Sequence, residues 1–300
     1  MEFLTDPWTW WIAPFADNAF MRDALVAALL TVLTTSVVGT WVVLRGMSFL
    51  GDALAHGVLP GIAIAFIIGV DTSIGALLAA GAMVAGIAAI RRHSPLPEDT
   101  SIGVLFVGFL ALAVVIMSTQ QASYVGDLNR FLFGSITGVD DADLARQAIA
   151  AAIAVVGVIV LYRALLVMTF DVTLAQMLGL RPGLTQAALL VLVAISIVAS
   201  FQSVGNLLVF AFLVAPPAAA SLVARRVPMI MVVSVAFGTT AAVIGILISY
   251  HHDSATSATM ALCSVVLFFI VLTLVAVRRS VSGRGRFTAS TTRPEPTHTA

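Results

Sequence analysis

The chain has 300 residues, of which 60% are hydrophobic and only 10% charged, with a formal net charge of zero and a mean hydropathy of +1.07. A water-soluble domain of this length carries far more polar surface, so the composition excludes one and predicts a multi-pass membrane protein. All 15 basic residues are arginine. Without a lysine, the chain cannot form the phosphate-binding loop of a nucleotide hydrolase by itself.

Nine stretches are apolar enough to span a bilayer, which takes about 20 mostly apolar residues. They lie at 24–44, 50–69, 73–90, 101–118, 148–168, 184–201, 205–223, 229–249 and 258–277. This pattern predicts an all-α fold with about nine transmembrane helices, or eight if 205–223 is not a simple span. We expect an outer N-terminal segment at 1–23, a transmembrane domain at 24–278, and a disordered cytoplasmic tail at 279–300, where Ser, Thr, Gly, Arg and Pro dominate.

Arginines mark alternate connections between the predicted spans. They are Arg45, Arg91, Arg92, Arg181, Arg225, Arg226 and those from Arg278 to Arg293. Cytoplasmic loops carry the excess of basic residues, so the N-terminus is expected outside the plasma membrane and the C-terminus in the cytoplasm. Trp8, Trp10 and Trp11 then suit an outer anchor in the lipid interface. In the long outer connection, residues 131–134 form either a short surface helix or a plain loop.

Asp52 and His56 are the only ionisable side chains placed deep inside a predicted span. Residues four apart on a helix share one face. A carboxylate inside a bilayer costs about 3 kcal/mol, so an intramembrane acid indicates a functional site. Carboxylate oxygen and imidazole nitrogen are metal ligands, and the pair therefore predicts a metal site. The alternative is a buried pair that only ties two helices together.

Prolines fall within two of the predicted spans. Pro60 and Gly61 weaken the helix that carries the metal-ligand pair, and freed carbonyls are tolerated only against protein or a water-filled cavity. Pro216 and Pro217 remove two backbone donors from a later span and are expected to kink or break it. Interrupted helices near mid-membrane border transporter binding sites, although chance kinks are also common.

The two ligands of one chain are too few for a transition metal, which usually takes four or more. A two-fold dimer with Asp52 and His56 on its axis supplies two oxygens and two nitrogens. That set is enough for tetrahedral Zn²⁺ or, with waters or bidentate carboxylates, for Mn²⁺. Metal charge would also offset the two carboxylates.

The segment 171–180 lies between two spans on the predicted cytoplasmic side. Asp171 can cap a helix of about two turns, and Gly179 can end it. The apolar residues of the segment form one stripe, made of Leu174, Met177 and Leu178. Such a stripe suits docking of a partner protein, whereas the alternative is a loop helix folded back onto its own bundle.

His251, His252 and Asp253 are adjacent potential ligands in an outer connection. They can collect metal at the entrance, or they can form an ordinary solvated loop. Cys263 is the single cysteine of the chain. It lies in an apolar span and is expected to pack rather than to ligate.

Five stretches resemble, in the same order, the permease subunits of manganese, zinc and iron ABC importers of the ABC-3 type. The most distinctive is SFLGDALAHGVLPG at 48–61. The others are EDTSIGVLF at 98–106, DLNRFLFG at 127–134, AQMLGL at 175–180 and VGNLLVFAFLVAPP at 204–217. The resemblance extends from about residue 20 to residue 278.

This resemblance implies a type II importer-like permease: a homodimer with one metal pathway, two cytoplasmic ATPase subunits and an extracytoplasmic metal-binding protein. It implies that Asp52 and His56 coordinate transported Zn²⁺ or Mn²⁺, with no permanently bound cofactor and no nucleic-acid partner. ATP hydrolysis would belong to the ATPase, so the chain is not expected to be an enzyme. The implied coupling helix, which contacts the ATPase, contains Leu174, Ala175, Met177, Leu178 and Gly179.

The chain departs from the family pattern at two places, and both leave the Asp/His pair intact. Arg130 stands where the family often has His, and Pro216-Pro217-Ala218 stands where it often has Pro-Ala or Pro-Ala-Ala. These departures bear on the outer gate and on metal preference.

Two other transport functions remain open at this point. A siderophore or cobalamin permease has a wider pore, and ATPase stimulation by free metal distinguishes it. A gradient-driven metal carrier would use Asp52 as a proton relay and would take up metal without nucleotide. An intramembrane metalloprotease is not supported, because the chain has no His-Glu-x-x-His motif. Oxygen and imidazole donors do not decide between zinc, manganese and iron.

Overall fold

The computed structural model describes residues 7–93, 98–118 and 139–287, and every regular element within these ranges is a helix. In chain order the helices are α1 Pro7–Trp11, α2 Ala13–Asp17, α3 Ala19–Leu44, α4 Ser48–Gly57, α5 Leu59–Ile68, α6 Thr72–His93, α7 Glu98–Ser118, α8 Asp141–Phe170, α9 Val172–Met177, α10 Pro182–Val204, α11 Asn206–Val223, α12 Val227–His252 and α13 Thr256–Phe287.

Nine helical segments of the described ranges are long and apolar enough to cross a membrane. α4 and α5 together make one of these segments, and α3, α6, α7, α8, α10, α11, α12 and α13 make the others. The all-α fold with nine spans that the sequence predicts is therefore confirmed.

The first and last helices extend beyond the predicted spans. α3 begins at Ala19, inside the expected outer segment, and α13 runs to Phe287, past residue 279 where the tail was expected to start. A helix satisfies its backbone hydrogen bonds internally, so it can continue beyond its apolar part. The rest of the expected tail, 288–300, and the expected outer helix at 131–134 lie outside the described residues.

α3 is the central helix, because it packs against α8, α10, α11 and α12. Its buried face is rich in small residues such as Ala24, Ala27 and Ala28, which let neighbouring helices approach closely. Thr31 and Thr35 donate their hydroxyl hydrogens to carbonyls one turn earlier, at 2.9 and 2.6 Å. These buried hydroxyls therefore need no solvent.

α5 and α6 approach each other through two glycines. A Cβ on Gly61 would collide with the carbonyl oxygen of Gly75, and a Cβ on Gly75 would collide with that of Gly61. Gly61 thus serves close packing within an intact helix. The interruption that the sequence predicts near Pro60 is present at Val58, between α4 and α5, because Pro60 has no N–H for the α4 ladder.

The break expected at Pro216 and Pro217 is absent, because α11 continues as one helix through both prolines. Pro217 cannot donate to the carbonyl of Leu213, four residues earlier. That carbonyl oxygen faces Gly39 of α3, where a Cβ would collide with it. The Leu213 carbonyl oxygen therefore lies close to the backbone of Gly39, where a glycine Cα–H can approach it.

Candidate functional site

Asp52 and His56 lie on one face of α4, as their spacing predicts. Their side chains are 31% and 27% exposed, respectively. The three residues between them, Ala53, Leu54 and Ala55, are buried in the bundle. The pair therefore lies on the side of α4 that this chain covers only in part.

The pair lies at the mid-depth of the bundle. Gly51 packs against Leu213, the eighth of the 18 residues of α11, and Gly57 packs against Met83, the twelfth of the 22 residues of α6. α11 and α6 are both candidate spans. Asp52 is next to Gly51, so it lies near the middle of two helices that are long enough to cross a membrane.

Asp52 and His56 are spaced as two ligands of one ion would be. Nε2 of His56 lies 3.5 Å from Oδ1 of Asp52, which is too long for a strong hydrogen bond. Two donors that are each about 2.1 Å from a tetrahedral ion lie about 3.4 Å apart. Nδ1 of His56 is buried and has no hydrogen-bond partner among the described residues. The ring is therefore positioned by packing.

Phe106 packs on the His56 ring, and Phe49 packs on Phe106 in turn. The ring of Phe106, on α7, meets His56 edge-to-face with centroids 5.8 Å apart, and it meets Phe49 at 5.6 Å. Sequence reasoning assigned no role to either phenylalanine. The available signal was their position inside the stretches 48–61 and 98–106, which carry the family resemblance.

The prolines that the sequence singled out lie near the pair. Pro60 follows His56 by one turn, and Pro216 and Pro217 follow Leu213 by one turn along α11. Leu213 itself contacts both Gly51 and Gly39. The structure thus gathers both proline sites around α4, although only the first interrupts a helix.

The described part of one chain supplies no complete metal site. Within 7–93, 98–118 and 139–287, no group of three or more His, Cys, Asp or Glu side chains is placed to hold a metal ion. Asp52 and His56 are thus two candidate ligands that no third His, Cys, Asp or Glu joins within those ranges.

The helix predicted at 171–180 is present as α9, with both of its expected ends. Oδ1 of Asp171 accepts a hydrogen bond from the Leu174 N–H at 2.9 Å. Gly179 has a φ of 72°, and the following N–H, of Leu180, donates to the Ala175 carbonyl at 3.0 Å. This is the left-handed termination for which glycine is favoured.

The apolar stripe of this helix points away from the bundle. Leu174, Met177 and Leu178 are 45%, 81% and 52% exposed, whereas Ala175 is fully buried. The alternative, in which the stripe folds back onto its own bundle, is therefore not what the structure shows. An exposed apolar stripe on a short connection is available to a partner.

His251, His252 and Asp253 are not brought together as a ligand set. His251 lies in the last turn of α12 with Nδ1 2.9 Å from the Leu247 carbonyl oxygen, and its ring stacks on Trp10 with centroids 4.4 Å apart. The helix ends at His252, and Asp253 follows in the left-handed conformation, with φ of 46°. The ring stacking holds α1 against the C-terminal end of α12, and the arrangement gives no support to a metal site there.

Comparison with known proteins identifies similar chains over almost the whole of this length. The ABC 3 transport family matches residues 17–275. The chain is 34% identical over 252 residues to the manganese transport system membrane protein MntC of Listeria monocytogenes, covering 84% of this chain and 89% of that protein. It is 31% identical over 268 residues to a probable iron transport system membrane protein of Haemophilus influenzae, covering 89% and 98%.

A solved structure shows the same architecture. The structure of PsaBC from Streptococcus pneumoniae in complex with Fab aligns with a TM-score of 0.77 at 34% identity, covering 87% of this chain and 95% of that one. The resemblance found in the sequence is confirmed by these similarities.

Proposed function

The chain belongs to the ABC 3 transport family, and on that premise we propose that it is the permease subunit of an ATP-driven importer of a divalent transition metal. The observation that carries this proposal is the pair of ligand atoms, on Asp52 and His56, 3.5 Å apart at mid-membrane depth. ATP is hydrolysed by a separate ATPase subunit. The permease provides the path.

The cargo is Zn²⁺ or Mn²⁺, held by the pair as it passes. Carboxylate and imidazole suit Mn²⁺, Fe²⁺ and Zn²⁺, so the donor set supports a class of cargo. The similarity to a manganese transport protein makes Mn²⁺ the first ion to test. A bulky chelate does not suit two donors at single-ion spacing, which argues against a siderophore or cobalamin permease.

A second copy of the chain completes the site. Asp52 and His56 are about one-third exposed on a helix at mid-membrane depth, and a charged group facing lipid there costs about 3 kcal/mol. A two-fold dimer with α4 at its axis covers both pairs and gives four donors. The ion's charge then offsets the two carboxylates.

The exposed stripe of α9 is the docking surface for the ATPase. Arg181, Arg225 and Arg226 lie at connections on the same side of the nine-span topology, which supports a cytoplasmic position for this face. The N-terminus is then outside and the C-terminus inside. An extracytoplasmic metal-binding protein delivers the ion to the opposite face.

Metal uptake by cells that express single variants tests the proposed site. Asp52→Asn and His56→Ala should each lower Mn²⁺ or Zn²⁺ uptake by about 100-fold or more, because the first replaces a charged oxygen ligand by a weaker neutral one and the second removes the imidazole. Asp253→Asn and His251→Ala make the same chemical changes outside the pair and should leave uptake near the wild-type level. Protein amount in the membrane is measured for every variant. Normal uptake by a well-expressed Asp52→Asn protein would refute the assignment.

A further inference from the structure

Three arginines line one cavity where α11 and α13 reach the membrane surface. The cavity has a volume of about 370 Å³ and is lined by Arg225, Arg278 and Arg279 together with the apolar Leu222, Val223 and Val275. Val223 is the last residue of α11, and the apolar span of α13 ends at Ser280. The cavity therefore lies at the boundary between hydrocarbon and water.

Among the described residues, no carboxylate neutralises the positive charge of this cavity. No carboxylate is among its lining residues, and none of the three arginines has an ion-pair partner in the part of the chain that the structure describes. The carbonyl end of α11 contributes only about half a negative charge. Three positive charges in one cavity repel each other, and a bound anion would relieve that repulsion.

An apolar groove leads along α13 toward the same arginines. It has a volume of about 380 Å³ and is lined by Val266, Phe269, Ile270, Thr273 and Leu274. Ile270, Leu274 and Arg278 are spaced i, i+4, i+8, so they follow one another along one side of the helix. The apolar groove and Arg278 thus lie along one side of α13, with Arg278 one turn beyond Leu274.

We propose that this cavity binds the phosphate of an anionic phospholipid headgroup, with an acyl chain in the groove on α13. Guanidinium groups hold phosphate oxygens with paired N–H donors. Basic pockets between transmembrane helices accept such headgroups. Inorganic phosphate shares the headgroup chemistry but has no chain to fill the groove. The inference depends on the chain crossing a membrane and not on the metal that it carries.

Native mass spectrometry of the purified full-length protein in detergent tests this site. The probes are phosphatidylglycerol, phosphatidylcholine of the same chain length, and soluble glycerol 3-phosphate. The double variant Arg225→Gln/Arg278→Gln removes two arginines of the cavity. The matched control Arg226→Gln/Arg163→Gln removes two exposed arginines that do not line it.

The wild-type protein should retain phosphatidylglycerol at least about tenfold better than phosphatidylcholine, because each arginine near an anionic headgroup strengthens binding. The cavity variant should lose this preference and the control should keep it. If both double variants lose the preference for phosphatidylglycerol equally, or if neither loses it, the proposed site is wrong. Displacement of phosphatidylglycerol by glycerol 3-phosphate at equal concentration overturns the lipid as its ligand.

Discussion

The single residue Gly39 sets the distance between the central helix α3 and α11. The Leu213 carbonyl, which Pro217 cannot engage, occupies the place where a side chain at position 39 would begin. The atom in the way belongs to the backbone, so it cannot rotate aside as a flexible side chain would. Contact between α3 and α11 therefore depends on glycine.

Gly39→Ala should lower the free energy of unfolding by about 1–3 kcal/mol, because overpacking displaces backbone. Thermal unfolding of the purified protein in detergent measures this change. Gly81→Ala is the matched control, since nothing lies within 4 Å of its Cβ position. It should raise stability slightly, because alanine favours helix over glycine by about 1 kcal/mol. An unchanged midpoint for Gly39→Ala would contradict the close-contact model.

Metal binding should weaken as the pH falls, since carboxylate and imidazole bind metal only when deprotonated. The measurement is the affinity for Mn²⁺ or Zn²⁺ of purified protein across pH 5 to 8. The residual weak binding of an Asp52→Asn/His56→Ala protein should show no such dependence. A wild-type affinity that stays constant over this range would count against the pair as ligands.

Titration of Asp71 does not contribute to the pH dependence expected between pH 5 and 8. Its carboxylate accepts the N–H of Ser73 at the start of α6, and this hydrogen bond lowers the pKa of Asp71 below its ordinary value of 3.8. A lowered pKa stabilises the fold above the unfolded-state value and loses that effect only as the pH falls below it. Acid weakening above pH 5 therefore does not arise from uncapping of α6.

At the scale of helices, the short α9 is exposed along most of its length, with Ala175 as its buried residue. Its cap, its glycine stop and its stripe are all local features, so the sequence predicts them without tertiary information. Met177 is the most exposed member of the stripe, at 81%. It is therefore the position where a charge disturbs the permease itself least.

Met177→Asp should reduce binding of the ATPase subunit by about tenfold or more, because a charge in the core of an apolar contact goes unpaired. Co-purification of the ATPase with the permease measures binding, and nucleotide-dependent uptake measures coupling. Met229→Asp is the control, since Met229 is also exposed, at 56%, in the first turn of α12 outside the stripe. If both substitutions act alike, α9 has no special role.

The helices show what sequence can and cannot predict. Hydropathy locates all nine spans, and the interruption near Pro60 follows from its missing N–H. The continuity of α11 could not be predicted, because proline inside a helix usually kinks or breaks it. The close approach of Gly39 to the Leu213 carbonyl joins residues far apart in sequence. The stacking of His251 on Trp10 is likewise a contact between distant residues. Features set by neighbouring residues can be predicted from the sequence, whereas contacts between residues far apart in sequence cannot.

The same distinction applies to the candidate site. Asp52 and His56 stand out because charges inside spans are rare and these two share a helix face. Phe49 and Phe106 do not stand out, since phenylalanine is ordinary in a membrane helix. Only the contact of Phe106 with His56, and that of Phe49 with Phe106, assign them to the site.

At the scale of the whole molecule, the shared site predicts a fixed stoichiometry. Purified permease should bind one Mn²⁺ or Zn²⁺ per two chains, because each chain contributes one Asp52 and one His56. Metal analysis of the protein after gel filtration, with its mass determined in parallel, gives the ratio. The Asp52→Asn protein should remain dimeric and bind little metal. One tightly bound ion per chain would show that each chain completes its own site.

The partial exposure of the Asp52–His56 face also has a genetic consequence. If each chain of a dimer supplies half of the ligands, a variant chain inactivates every wild-type chain with which it forms a dimer. In a cell making equal amounts of wild-type and Asp52→Asn protein that pair at random, only about a quarter of the dimers have all four ligands. Loss of a ligand would then be inherited as a dominant trait, whereas loss of the whole chain would be recessive.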